Sequence, residues 1–201
     1  MTAFGDFDYR GAFREGHERN EYVASLISAR GLWAYCPPLE FAKSADEIKR
    51  FTIYEKDVIT RAGTLEIKGQ GRYFTWDLSE FQYPTQIVDT VESWEGKADK
   101  PIAYVMVCKE NLNCVVVPCS SRGSWRIETR YDNLKKKHYA FYVVDSRELR
   151  PFSDLLDFIE KKEIAWAEKN NGPLAQRLEQ GTHNASVGGS TPSRPTNGFG
   201  R

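Results

Sequence analysis

The hydrophobic positions change period several times along the chain, and each change marks an element. Between Gly16 and Trp33 (GHERNEYVASLISARGLW), Tyr22, Val23, Leu26 and Ile27 recur on one helical face, and Gly31 supplies a stop. This predicts a helix. LWAYCPP then reads as a short strand ended by two prolines. KSADEIKRF reads as a brief helical turn, with Ser44 and Glu47 in capping-box spacing. KDVIT and TLEIKG are short, β-branched and alternating, and RAG joins them as a tight turn, which predicts a hairpin. RYFTWDL predicts a third strand. YPTQIVDTVESWEGK has proline near its start and Ile87, Val91 and Trp94 at helical spacing, which predicts a helix. PIAYVMVC and CVVVP are nearly all apolar, as strands covered on both faces are. YAFYVV is another strand. PFSDLLDFIEKKEIAWAEKN predicts a closing helix with Leu155, Leu156 and Ile159 inward.

This order predicts an α/β fold in which a mixed central β-sheet is flanked by helices. The expected domain spans residues 1–169. From Asn170 onward the chain is rich in Gly, Ser, Thr, Asn and Pro, with few large apolar residues to offset its ordering entropy, so residues 170–201 are expected to form a disordered tail. The 201 residues suit one domain plus such a tail.

Charge and cysteines narrow the classes. Lys+Arg equals Asp+Glu at 28 each, so any nucleic-acid surface must be local. Cys36, Cys108, Cys114 and Cys119 form no CxxC pair and read as buried free thiols in a reducing compartment rather than a zinc site. No apolar run approaches the roughly 20 residues of a membrane span, and the N-terminus has no apolar core of a signal peptide. The expectation is a cytoplasmic protein with no membrane partner.

The hairpin carries the candidate chemistry. Glu66 and Lys68 are two apart on a strand and share a face, while Leu65 and Ile67 point to the core. A three- or four-residue turn near Arg61–Gly63 would bring Asp57 opposite the Glu66–Lys68 end. Two carboxylates and one ammonium then converge, a set suited to metal-assisted phosphodiester hydrolysis. Carboxylate oxygens suit Mg²⁺, a hard cation. A bound metal polarises the phosphoryl oxygen and acidifies water, and a lysine beside it holds that water and offsets developing charge. The competing reading is a solvated strand face with Asp57 capping a turn.

At these residues the chain resembles the PD-(D/E)xK nuclease superfamily: Asp57, eight residues, then EIK, after a helix with acidic residues and within an αβββαβ order. The resemblance covers roughly residues 11–118. It implies a restriction-endonuclease-like fold, Asp57 and Glu66 as Mg²⁺ ligands and Lys68 as catalytic. It also implies a helix acid, Glu18 or Glu21, of which Glu18 lies nearer the inward stripe. Gln70 occupies the place where family members often carry glutamine. Lys56 stands where the motif usually has proline. The implied activity is an Mg²⁺-dependent endonuclease acting on duplex or branched DNA, as a homodimer in many members. The alternative is an inactive nucleic-acid-binding or protein-interaction module of the same fold. Residues 175–196 (AQRLEQGTHNASVGGSTPSRPT) resemble a bacterial transfer-RNA gene read as protein, which implies a phage or mobile-element origin.

A second stretch bears on DNA. Residues 120–141 hold Arg122, Arg126, Arg130, Lys135, Lys136 and Lys137 against Glu128 and Asp132, with Trp125 and Tyr131 interleaved. This is either a phosphate-tracking loop with stacking aromatics or a solvated hairpin edge. Trp76 and Trp94 are read as core or interface. His17 and His138 have no partner spacing, and no P-loop, nucleophile elbow or dinucleotide turn is present.

Overall fold

The computed structural model describes residues 9–41, 56–132 and 136–185, the last stretch from Asn171 as backbone only. The fold is mixed α/β. The order begins α1 (Tyr9–Ala29), β1 (Ala34–Tyr35), β2 (Val58–Thr60), β3 (Gly63–Gln70), β4 (Thr85–Thr90) and α2 (Val91–Gly96). It continues with β5 (Ala103–Cys108), β6 (Cys114–Pro118), β7 (Arg126–Asp132), β8 (Lys137–Asp145), β9 (Arg150–Pro151) and α3 (Phe152–Ala185). Six strands form a mixed sheet in the order β1-β2-β3-β5-β6-β9, and three form a second sheet, β4-β8-β7. Among the described residues only β3 and β5 run parallel in the large sheet.

The two faces of the large sheet explain the sequence pattern. On one face Val58, Leu65, Ile67, Ala103, Val105, Val107 and Val116 pack against Val23 and Ile27 of α1 and Phe152, Leu155 and Ile159 of α3. On the other, Tyr104, Met106, Val115 and Val117 pack against Val88, Trp94, Trp125, Tyr142 and Val144. Strands β5 and β6 supply both cores, which is why they read as unbroken apolar runs. Gly31 takes φ +83° after α1, a conformation that glycine adopts without strain.

The hairpin turn is tighter than expected. Thr60 pairs with Gly63, so only Arg61 and Ala62 lie between the strands. Gly63 has φ +136°, and a Cβ there would sit 2.6 Å from Ile102 Cγ2. Glycine is needed at this position both for its backbone and for space.

Two elements differ from the sequence expectation. RYFTWDL is not a strand. The distant Asn111 side chain donates to the Phe74 carbonyl, and Asp77 caps a short 3-10 turn at Leu78–Glu80, so these backbone groups bond to side chains rather than to a neighbouring strand. The segment read as one long helix is a strand first. Thr85–Thr90 pairs with β8, and the Thr90 side chain then caps α2 by accepting from Ser93 N. Its β-branched residues and an available strand neighbour outweighed a helical spacing carried by only three apolar positions.

The chain divides into two units, Met1–Glu163 and Ile164–Arg201, with the boundary inside α3. The helix runs past Asn170 to Ala185. The capped turn expected around Ser44 and Glu47 lies outside the described residues. Among the described residues no helix is long and apolar enough to cross a membrane.

Candidate active site

Asp57 immediately precedes β2. The β2–β3 register pairs Val58 with Leu65, so its continuation sets Asp57 opposite Glu66. The Asp57 side chain is fixed from two elements. Its Oδ2 accepts from the Ile67 amide at 2.7 Å, and its Oδ1 accepts from Asn20 Nδ2 of α1 at 3.1 Å. Lys68 Nζ donates to Glu66 Oε1 at 2.7 Å. The three residues singled out on the hairpin therefore share one end of it.

The sequence did not point to two of the five charged groups, Asp89 and Lys97. Asp89, at the end of β4, faces the same gap, with Oδ1 at 3.7 Å from Lys68 Nζ. Lys97, just beyond α2, reaches Asp89 Oδ2 at 2.9 Å and Glu66 Oε1 at 3.5 Å. Tyr104 of β5 and Ser93 of α2 each donate to Asp89 Oδ2 at 2.9 Å. Asp89 and Lys97 are each only 6 % exposed as side chains, so their pairing is sealed from solvent. A β-bulge makes this possible. Ile87 pairs with Val143 but Asp89 with Tyr142, so Val88 is the extra residue. The shift turns Asp89 onto the inner face that Tyr142 occupies, where unbroken alternation would have turned it away.

The charges are three carboxylates against two ammonium groups. Burial and then the Glu66 charge push Asp57 up to about 6, against the Ile67 amide, Lys68 and Asn20, which pull it down. Burial acts to lower Lys68, but Glu66, Asp89 and Asp57 outweigh it and hold the ammonium above its ordinary value. Burial acts to raise Asp89, yet Lys68, Lys97 and the Tyr104 hydroxyl keep its carboxyl below the usual range. At neutral pH Lys68 is thus a firm hydrogen-bond donor. Asp57 is the strained partner: a carboxylate that burial and a second carboxylate both penalise. Such a site gains from a cation that takes oxygen ligands, and the Asp57–Glu66 donor set suits a hard divalent ion that keeps most of its waters. Among the described residues no three His, Cys, Asp or Glu side chains are gathered to hold a metal. Asp89 Oδ2 accepts from Lys97, Tyr104 and Ser93, and its Oδ1 accepts from the Thr90 amide at 2.9 Å.

The remaining expected residues divide. Glu18 is exposed on α1, and the helix residue that reaches Asp57 is Asn20, not Glu18. Glu21 is paired with His17 at 3.4 Å. Gln70 lies on the Glu66–Lys68 face and donates to Met106 Sδ at 3.5 Å. Cys119 is pushed up to about 12 by burial and the Glu66 charge, so it is a thiol and no nucleophile.

The basic stretch is the β7–β8 hairpin with the turn before it. Arg122 stacks 4.0 Å from the centre of the Tyr142 ring and lies 3.8 Å from Glu95. Arg126 and Arg130 both donate to Glu128. Lys137 lies over Tyr139, and Lys136 is itself in a turn conformation with φ 52°. Lys135 lies outside the described residues. Trp125 is 7 % exposed within the second core and donates to Ser121 Oγ, so it offers no face for a base. Tyr131 is exposed, edge-on to His138.

No protein-family model and no curated protein sequence matches this chain.

Proposed function

We propose that this protein is an Mg²⁺-dependent phosphodiesterase that hydrolyses DNA. The observation that carries the reading is the hairpin geometry: Asp57 opposite Glu66, with the Lys68 ammonium 2.7 Å from Glu66. The element order supports it too. A helix precedes the antiparallel strands β1, β2 and β3, and β5 then returns parallel to β3, as the resemblance to PD-(D/E)xK nucleases implies.

Asp57 and Glu66 would hold the ion. When bound, it polarises the phosphoryl oxygen and acidifies a water. The chain's own groups do the rest. Lys68, held protonated, donates to the attacking water or to a non-bridging oxygen and offsets charge that builds on phosphorus. Water forms the new P–O bond and gives up its proton to solvent, the bridging oxygen leaves with the electron pair of the broken bond, and solvent returns a proton to that oxygen. Asn20 and the Ile67 amide orient the Asp57 carboxylate. Asp89 of β4 and Lys97, just beyond α2, fix Lys68 and Glu66 from the other side of the gap.

A second reading has one observation in its favour. Glu66 Oε1 already faces two ammonium groups, Lys68 and Lys97, which compete with a metal. That arrangement suits a nucleic-acid-binding or interaction module that does not cut. Incubation of the purified chain with supercoiled plasmid and with branched DNA separates the two. Nicking that requires Mg²⁺ and stops on chelation supports hydrolysis. Retention of DNA without cleavage at any Mg²⁺ concentration supports the binding module.

A further inference from the structure

Strand β7 is the outer strand of the three-stranded sheet. Its seven residues, RIETRYD, pair with β8 without a register break, and none is proline. Among the described residues nothing pairs with its other side, so alternate N–H and C=O groups point outward there. A long regular edge of this kind accepts another strand unless something forbids it. Ile127 is 58 % exposed and Tyr131 49 %, both on one face of that edge. Arg126, Glu128, Arg130 and Asp132 line the other.

The sequence of this edge is self-complementary. Laid antiparallel against a second β7 and centred on Thr129, it sets Arg126 opposite Asp132 and Glu128 opposite Arg130 on one face. On the other face it sets Ile127 opposite Tyr131. Every directly opposed pair is favourable. The neighbouring registers are not. A slip of two residues one way opposes Arg126 with Arg130 and Glu128 with itself. Two the other way opposes Glu128 with Asp132 and Arg130 with itself. A slip of one sets charged side chains against Ile127, Thr129 or Tyr131. In-register parallel pairing opposes each charge with its like. One arrangement is selected and its alternatives are penalised.

We infer that β7 is a homodimerisation edge: two copies of this chain pair antiparallel through Arg126–Asp132, with the twofold axis at Thr129, and join their three-stranded sheets into one. The interface is isologous, as a twofold dimer requires. The Glu128 carboxylate, which holds Arg126 and Arg130 of its own chain, then also faces Arg130 of the second copy. This inference is independent of the proposed hydrolysis. It assigns Arg126 and Arg130 to a protein partner rather than to phosphate.

Sedimentation velocity on the full chain over a range of concentrations tests it. The parent should form a dimer. Glu128→Arg sets arginine against Arg130 twice per dimer, and Arg130→Glu sets two glutamates against Glu128. Each should weaken self-association by at least tenfold. Mixed in equal amounts, the two variants become complementary at all four charged positions and should regain a dimer. Thr129→Asp, which opposes two carboxylates on the axis, is a further variant expected to be monomeric. A parent that stays monomeric at high concentration overturns the inference. So does a dimer that survives all three substitutions, or a mixture of the two charge variants that stays monomeric although each has the parent's circular dichroism spectrum.

Discussion

Replacing Asp57 by Asn removes a charge that the fold holds at a cost. The carboxyl rises from an ordinary 3.8 to about 6, because it is buried and faces Glu66. That is roughly two units at about 1.4 kcal/mol each, so ionised Asp57 costs about 3 kcal/mol of stability. The sign follows from linkage. A folded-state value above the unfolded one makes the protonated form the stabilising one. Its contribution is complete below pH 3.8 and is lost as pH rises through about 6. Asn keeps the shape and an acceptor for the Ile67 amide without the charge. Urea unfolding in the presence of a chelator should therefore find Asp57→Asn more stable than the parent at pH 8, by about 3 kcal/mol at most. The difference should vanish toward pH 4. Mg²⁺ should then stabilise the parent and leave Asp57→Asn almost unmoved, because ligand binding to the folded state adds RT ln(1 + [L]/Kd). A variant less stable than the parent at pH 8, or one that Mg²⁺ stabilises equally, would refute the reasoning about this carboxylate.

Other consequences follow from the same cluster and its support. Lys97→Met leaves Asp89 buried without its ammonium and should cost about 3–5 kcal/mol in urea unfolding; adding Asp89→Asn should recover part of that loss. Gly63→Ala meets both a positive φ and Ile102, and should cost about 2–4 kcal/mol by thermal or urea unfolding. At limiting Mg²⁺, cleavage should fall as pH drops below about 6, since protonated Asp57 is a poor cation ligand, and raising the Mg²⁺ concentration should move that limb to lower pH.

The hairpin was legible from its alternation, which set Leu65 and Ile67 inward. Its loop was not: the chain closes through Arg61 and Ala62 alone, where three or four residues were expected, and that shorter loop sets Asp57 opposite Glu66. Strands β5 and β6 were legible because a run covered on both faces has no polar positions to confuse it. Asp89 was not legible. Its segment offered three apolar residues at helical spacing, and a bulge at Val88 reversed the face that strand alternation would have given it. Bulges arise from pairing with a distant strand, here β8, and leave little local trace. One signal was present: Asp89, Ser93 and Lys97 stand four apart, a polar column beside the apolar one. Glu18 failed for a related reason. Nearness to an apolar stripe does not settle which side chain reaches over the sheet, and Asn20 is the one that does. In the basic stretch composition did not show that Glu128 holds Arg126 and Arg130 or that the core takes up Trp125, because both depend on how the strand pairs and packs.

The central claim is that the Lys68 ammonium, beside two facing carboxylates, stabilises a phosphoryl transition state. The measurement closest to it is the single-turnover rate of DNA cleavage at saturating Mg²⁺ for the parent and for Lys68→Ala. Loss of one such donor should slow the step roughly a hundredfold or more while the circular dichroism spectrum stays that of the parent. Cleavage by Lys68→Ala at the parent's rate would contradict the account.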